Sequence, residues 1–326
     1  MARRDLSSLL PGVKYGHKVY ANEIAGLIGL PHVGEIIYVD PSAGDDTANS
    51  GSSQDNALKT VAVAFGKATS GNHDVIIIAP SGGTGRTTET TAIIWNKRFT
   101  HLIGSAAPAL VNVRAGMTFA AGGSLVVSEN GCIFKSLTFT SSADIDETVS
   151  VTGNRNVFIN VDFKGTSNST SADDTKWRAL NLDGAEENYF GGCTLGGDTF
   201  TRGVANTTLE LEGASMRNTF DDCFFTAHID TAGTPTHVLV TGTSGIDREN
   251  EFHNTRFYSF STNNGQAMTG CMDLSAQTGT GHILVTGLPW LSTGITDWEA
   301  SASGRIQMQS FNTATATIGI AINPTV

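Results

Sequence analysis

The stretch Asn156-Val157-Phe158-Ile159-Asn160-Val161-Asp162-Phe163 returns three times further along the chain. It recurs as Asn188-Tyr189-Phe190-Gly191-Gly192-Cys193-Thr194-Leu195, as Asn218-Thr219-Phe220-Asp221-Asp222-Cys223-Phe224-Phe225 and as Asn250-Glu251-Phe252-His253-Asn254-Thr255-Arg256-Phe257. The steps from Phe158 to Phe190, Phe220 and Phe252 are 32, 30 and 32 residues. A fixed period of this size marks one supersecondary unit stacked on copies of itself. A short strand precedes each phrase: Val149 to Gly153, Leu180 to Gly184, Leu209 to Gly213, Val238 to Gly242 and Met272 to Leu274. Most alternate apolar and polar residues, as a strand with one buried face does. The closing glycine suits a turn that needs positive φ.

One period is thus strand, glycine turn, second strand and loop. Such a unit cannot bury a face alone, but layers stacked at about 4.8 Å bury a continuous column. The fold expected is all-β: a right-handed parallel β-helix, or solenoid. Inside it, Phe158, Phe190, Phe220 and Phe252 form one aromatic stack. Asn156, Asn188, Asn218 and Asn250 form a ladder at a turn, each amide bonding to the next layer. Cys193 and Cys223 occupy equivalent positions and stack as buried thiols rather than as a disulfide.

Upstream, Glu35 to Val39, Val75 to Ala79 and Leu102 to Gly104 read as strands. Thr60 is placed to cap a helix whose apolar residues Val61, Ala64, Phe65 and Ala68 share one face. A solenoid has open ends, and this helix is the expected N-terminal cap. The run Tyr38-Val-Asp-Pro, Gly44-Asp-Asp, Gly51, Ala57-Leu-Lys-Thr-Val, Asp74 to Pro80 and Leu102-Ile-Gly104 resembles the first coils of pectin-lyase-like right-handed β-helix proteins. The resemblance covers roughly residues 35–290. That superfamily contains lyases, glycosidases, phage tailspikes and inert virion proteins, so the resemblance implies a fold more than an activity.

The 326-residue chain divides into an N-terminal attachment segment at 1–34, a β-helix at 35–290 and a C-terminal cap or inter-subunit strand at 291–326. Charged residues make up only 16% and glycines number 37, the profile of an all-β solenoid. The net charge is −11, yet residues 1–18 carry Arg3, Arg4, Lys14 and Lys18 against Asp5. A basic leader on an acidic body suits docking to an acidic surface, and the acidic body disfavours nucleic acid. Ile24, Leu27 and Ile28 fall at helical spacing, and with Leu9 and Leu10 they supply apolar contacts. No apolar run approaches a membrane span, and no apolar signal region follows Arg3 and Arg4. The expectation is synthesis in a host cytoplasm without secretion. At the other end, Ile318, Ile320 and Ile322 alternate as a late strand.

Chemistry could reside in the outward residues of the first strand of each period. Asp183 aligns with Glu212, and Asn181 with Glu210 and then Asp273. Two carboxylates on adjacent strands suit glycoside hydrolysis, and the same column has oxygen ligands for calcium. Trp177 and Arg178 precede that strand and could stack on a sugar or act as a base. The opposing reading is a solvated acidic face that serves solubility. Gly82 to Thr88 lacks the spacing of a phosphate loop, and no cysteine or histidine pair has zinc spacing. The loop Thr166 to Asp174 reads as a polar protrusion. No cofactor and no metal is expected.

Taken together, the chain resembles a bacteriophage virion component. The first expectation is a non-enzymatic, trimeric capsid decoration or cement protein. It would grip a major capsid or other virion protein through Arg3, Arg4, Leu9, Leu10, Lys14, Ile24, Leu27 and Ile28. The alternative is a short tailspike or tail fibre that binds or cleaves host polysaccharide, with Asp183, Glu212 and Glu210 as the catalytic candidates.

Overall fold

The computed structural model describes residues 34–82, 85–105, 115–230, 235–262, 266–301, 303–309 and 321–322. The attachment segment expected at 1–34 lies outside them apart from Gly34, as do Ile318 and Ile320. The chain folds as a parallel β-helix. Among the described residues the strands make an 18-stranded and an 8-stranded sheet, and all their pairings but one are parallel.

Register follows the repeat. One core column runs through Ile37, Ile76, Leu102, Phe134, Phe158, Phe190, Phe220, Phe252, Val285 and Met308. Its aromatic part is a stack of nearly parallel rings, with centroids 4.8 Å apart for Phe158–Phe190, 4.6 Å for Phe190–Phe220 and 4.8 Å for Phe220–Phe252. Phe134 extends it upstream at 4.8 Å, one coil before the repeat phrase becomes recognisable. The spacing equals the strand separation, so ring offset and backbone pairing agree. A second column, Leu125, Val149, Leu180, Leu209, Val238 and Met272, closes the core from the other sheet.

The asparagine ladder is built as the spacing predicts. The backbone N–H of Asn156 donates to Asn188 Oδ1 at 2.8 Å, that of Asn188 to Asn218 Oδ1 at 3.0 Å, and that of Asn218 to Asn250 Oδ1 at 3.1 Å. Each amide nitrogen donates back to the preceding coil, as Asn218 Nδ2 does to the Ala185 carbonyl at 2.8 Å. These side chains are fully buried or nearly so, and each satisfies backbone groups that the corner leaves unpaired.

The repeat's variable pair has a backbone reason. Ser136, Asn160, Gly192, Asp222 and Asn254 take φ of 55°, 51°, 60°, 50° and 49°, a left-handed corner between two strand segments. Asparagine, aspartate and glycine tolerate that region best. The closing glycines at 184, 213 and 242 have φ of 64°, 63° and 76°. Gly153 differs: a β-carbon there would lie 2.2 Å from the Glu129 carbonyl oxygen, so close approach is what requires glycine.

Cys193 and Cys223 are buried free thiols that donate to the carbonyls of Phe158 and Phe190 at 3.4 and 3.2 Å. The helix Val61–Lys67 is capped by the Thr60 hydroxyl and buries Val61, Ala64 and Phe65. Phe65 stacks on Trp95 at 4.3 Å, which seats the helix over the first coils. The Glu89 carboxylate accepts from the first helical N–H groups, Val61 at 2.8 Å and Ala62 at 3.4 Å. Parallel pairing runs on through Ile306–Gln309, and Ala321–Ile322 pairs antiparallel with that strand.

Candidate functional site

The outward acidic column forms, with one change of register. Asp183 sits beside Glu212, and Asn181 beside Glu210. Leu239, not Asp273, is the next partner of Glu210, and Asp273 follows one coil later. The aligned pattern skipped a strand because Val238-Leu239-Val240 is apolar throughout and offered no polar outward residue to mark it.

The column is not a free solvated face. Glu210 is only 8% exposed. It accepts from Arg178 Nε and from the Thr241 hydroxyl. Arg178 Nη1 donates to the carbonyls of Thr175 and Trp177 at 2.9 and 2.8 Å. Asn181 Nδ2 bridges Glu147 Oε1 at 3.0 Å and Glu212 Oε1 at 2.7 Å. Burial raises the Glu147 carboxyl above its ordinary range, the Asn181 hydrogen bond opposes this, and Glu212 and Glu210 add to the rise. Asp183 alone of the three catalytic candidates is exposed. The arrangement is a hydrogen-bonded clasp across neighbouring coils, with Glu210 and Glu212 already committed to protein partners.

Trp177 does not offer its face to a sugar. It is 2% exposed and lies under the Arg202 guanidinium at 5.3 Å. The adjoining loop is held to the body rather than protruding. Asn168 caps the turn Ser169–Ala172, and Ser171 Oγ bonds both the N–H and the carbonyl of Ile145 at 3.0 and 2.8 Å. Ser171 is fully buried in doing so.

A second surface has the character that the acidic column lacks. The strands Phe224–Ile229, Arg256–Phe260 and Trp290–Leu291 lie side by side, with Phe224 next to Arg256 and Arg256 next to Trp290. Phe225 and Phe257 point into the core, so alternation sends Phe224, Arg256, Tyr258, Phe260 and Trp290 outward. The outward rings stack on one another: Phe224–Tyr258 at 6.1 Å, Tyr258–Trp290 at 6.1 Å and Tyr258–Phe260 at 5.7 Å. The planes of Tyr258 and Trp290 are within 12°. Arg256 lies 5.3 Å over the Phe224 ring, and His228 stacks on Phe260 at 4.6 Å. Trp290 is 47% exposed and Leu288 80%.

Sequence alignment of the repeat missed this face because it followed the inward phenylalanines only. Its signal was present in Arg256-Phe257-Tyr258-Ser259-Phe260, where aromatic residues occupy both faces of one strand. In the two upstream coils the positions matching Phe224 hold Thr194 and Asp162, so the aromatic face begins at Phe224. A ladder of stacked rings edged by a guanidinium offers apolar edges and an outermost ring face to the C–H groups of sugars, while Arg256 can donate hydrogen bonds to their hydroxyls.

Neither a family model nor a curated protein matches the chain. Among solved structures, a pectin methylesterase in complex with a hexasaccharide aligns over 80% of each chain at TM-score 0.53 and 16% identity. The pectate lyase Pel9A aligns over 87% of this chain and 82% of its own at TM-score 0.48 and 14% identity. ORF18 of Geobacillus virus E2 aligns over 88% of this chain and 62% of its own at TM-score 0.36 and 12% identity. At these identities the likeness is one of fold.

Proposed function

We propose that this chain is a non-enzymatic structural protein of a bacteriophage virion whose β-helix holds host surface polysaccharide on its aromatic face. The observation that carries the saccharide part is the outward row Phe224, Arg256, Tyr258, Phe260 and Trp290. Exposed aromatic area of this kind is uncommon on a protein with no partner for it. Binding rather than cleavage is favoured because the Glu210 and Glu212 carboxylates are held by Arg178, Thr241 and Asn181. In this reading residues 1–34 fix the chain to a major capsid or tail protein through Arg3, Arg4, Lys14 and the apolar Leu9, Leu10, Ile24, Leu27 and Ile28, and three copies assemble side by side.

The test is calorimetric titration with capsular polysaccharide and lipopolysaccharide of the host, with reducing ends assayed in parallel. Trp290→Ala and Tyr258→Ala each remove a stacking ring and should weaken binding about tenfold, or roughly 1.4 kcal/mol. Polysaccharide binding that both variants leave unchanged would refute the aromatic face. Reducing ends released by the wild type and lost in an Asp183→Asn, Glu212→Gln double variant would refute the non-enzymatic reading. The capsid-cement reading rests on the charge segregation of residues 1–18 and makes a separate demand. Removal of residues 1–34 should abolish incorporation into particles while the β-helix stays folded.

A further inference from the structure

The aromatic ladder leaves one exposed ring unexplained. Tyr189 is 37% exposed and lies on the segment before the left-handed corner, not after it. Phe190, Phe220, Phe252 and Val285 point into the core, so their strand neighbours Tyr189, Asp221, Glu251, His253 and Thr286 point outward. None of these five is buried. The Tyr189 ring leans over Gly191, where a β-carbon would lie 2.7 Å from Tyr189 Cε1. Glycine thus leaves the ring its space. The Tyr189 hydroxyl donates to Asp221 Oδ2 at 2.7 Å, one coil on. That bond, with burial second, pushes the phenol up to about 12, so it keeps the proton it donates.

Asp221 lies beside His253 of the following coil. The Thr286 hydroxyl donates to Glu251 Oε1 at 2.6 Å, because a carboxylate only accepts. With its one proton committed, the same hydroxyl accepts from His253 Nδ1 at 2.9 Å. This relay assigns the tautomer: the proton sits on Nδ1, and Nε2 is left as an acceptor. Among the described residues neither His253 Nε2 nor Asp221 Oδ1 has a hydrogen-bond partner. Two unengaged acceptors beside an exposed ring suit a sugar, whose hydroxyls donate while its C–H groups lie against the aromatic surface. The surrounding charge is negative. Asp221 and Glu251 belong to the patch and Asp222 stands exposed at its rim, while Arg217 in the preceding turn is paired with Glu186 and Glu187. Such a field repels an acidic sugar and leaves a neutral one unaffected.

We propose that Tyr189, Asp221 and His253 form a second saccharide subsite, one that takes a neutral hexopyranose through its vicinal hydroxyls. The inference rests on the saccharide reading of the aromatic face and extends it. The two patches occupy consecutive strand segments of the same coils, on either side of the corner residues Asp222 and Asn254, so one glycan chain can cross both. It is tested by calorimetric titration of the full chain with maltohexaose, cellohexaose, mannohexaose and the acidic hexagalacturonate. The wild type should bind at least one neutral hexaose more tightly than hexagalacturonate. Gly191→Ala displaces the ring and His253→Ala removes an acceptor, and each should weaken that binding about five- to tenfold. Should Gly191→Ala fail to fold, Tyr189→Ala takes its place. Binding weakened by Trp290→Ala but unchanged in the patch variants would overturn the subsite and leave the aromatic face standing. Binding weakened in the patch variants alone supports the subsite and removes the aromatic face. If no neutral hexaose binds, or hexagalacturonate binds more tightly, the subsite is refuted, and the aromatic face is judged on the host polysaccharide.

Discussion

Truncating Asn218 to alanine tests whether the buried amide ladder ties the coils together. Asn218 Oδ1 accepts from Asn188 N–H at 3.0 Å and from Asn188 Nδ2 at 3.0 Å. Its Nδ2 donates to the Ala185 carbonyl at 2.8 Å and to Asn250 Oδ1 at 2.9 Å. Not every partner is orphaned by the truncation. The Ala185 carbonyl keeps the Met216 N–H at 3.1 Å, Asn250 Oδ1 keeps the Asn218 N–H at 3.1 Å, and Asn188 Nδ2 keeps the Gly153 carbonyl at 3.1 Å. Only the Asn188 N–H, in a residue 1% exposed, loses its sole acceptor. A buried unsatisfied donor costs about 1–3 kcal/mol, and each lost hydrogen bond about 1 kcal/mol net. With one orphaned donor and three further bonds lost, the expected destabilisation is roughly 4–6 kcal/mol. It is read as a shift in guanidinium midpoint at unchanged slope, with hydrogen exchange at Asn188 showing whether the opening is local. Because the repeat is quasi-one-dimensional, faster exchange should spread to the adjoining coils before the helix-capped end. A loss below about 1 kcal/mol, with Asn188 exchange unchanged, would refute the ladder as a source of stability.

The remaining expectations concern the clasp and acid stability. Glu210→Ala leaves Arg178, whose side chain is 9% exposed, without its carboxylate and should cost about 3–5 kcal/mol in denaturant unfolding. A catalytic role would instead show as lost turnover at near wild-type stability. His237 and His101 are neutral in the fold: burial, then Arg202, pushes His237 to about 3, and burial, then His73, pushes His101 to about 4. Both take up a proton near pH 6.5 once unfolded, so the unfolded state binds more protons between about pH 4 and 6.5. Stability is full above that window and falls as the pH drops through it. The denaturation midpoint measured from pH 8 to pH 4 should follow this slope, and His237→Gln should make it shallower by about one proton. A flat profile would show that neither imidazole is held neutral.

Much of the fold was legible because the repeat is written in residue types with one physical use each. Phenylalanine every 30 to 32 residues dictates a stacked column, and a buried asparagine beside it needs the partners that a neighbouring coil supplies. Thr60 followed by an apolar face gave the cap helix, and the strand registers Leu180–Leu209 and Leu182–Leu211 followed from alignment alone. The site was less legible. Whether Glu210 meets solvent depends on where Arg178 and Thr241 come to rest, and these lie 32 and 31 residues away in sequence. Trp177 reads as a sugar platform in one dimension, but it packs on Gly165 and under Arg202 and is 2% exposed.

The sequence by itself determined a stack of coils, its period, its inward columns and the charge contrast between leader and body. These are periodic properties, and a period is visible in one dimension. Tertiary structure alone decided which outward residues are clasped and which rings face solvent together. Those outcomes depend on contacts between coils about 30 residues apart and on loops that break the repeat. At such places burial and partner choice are set by what the neighbouring coil brings, not by the residue's own type.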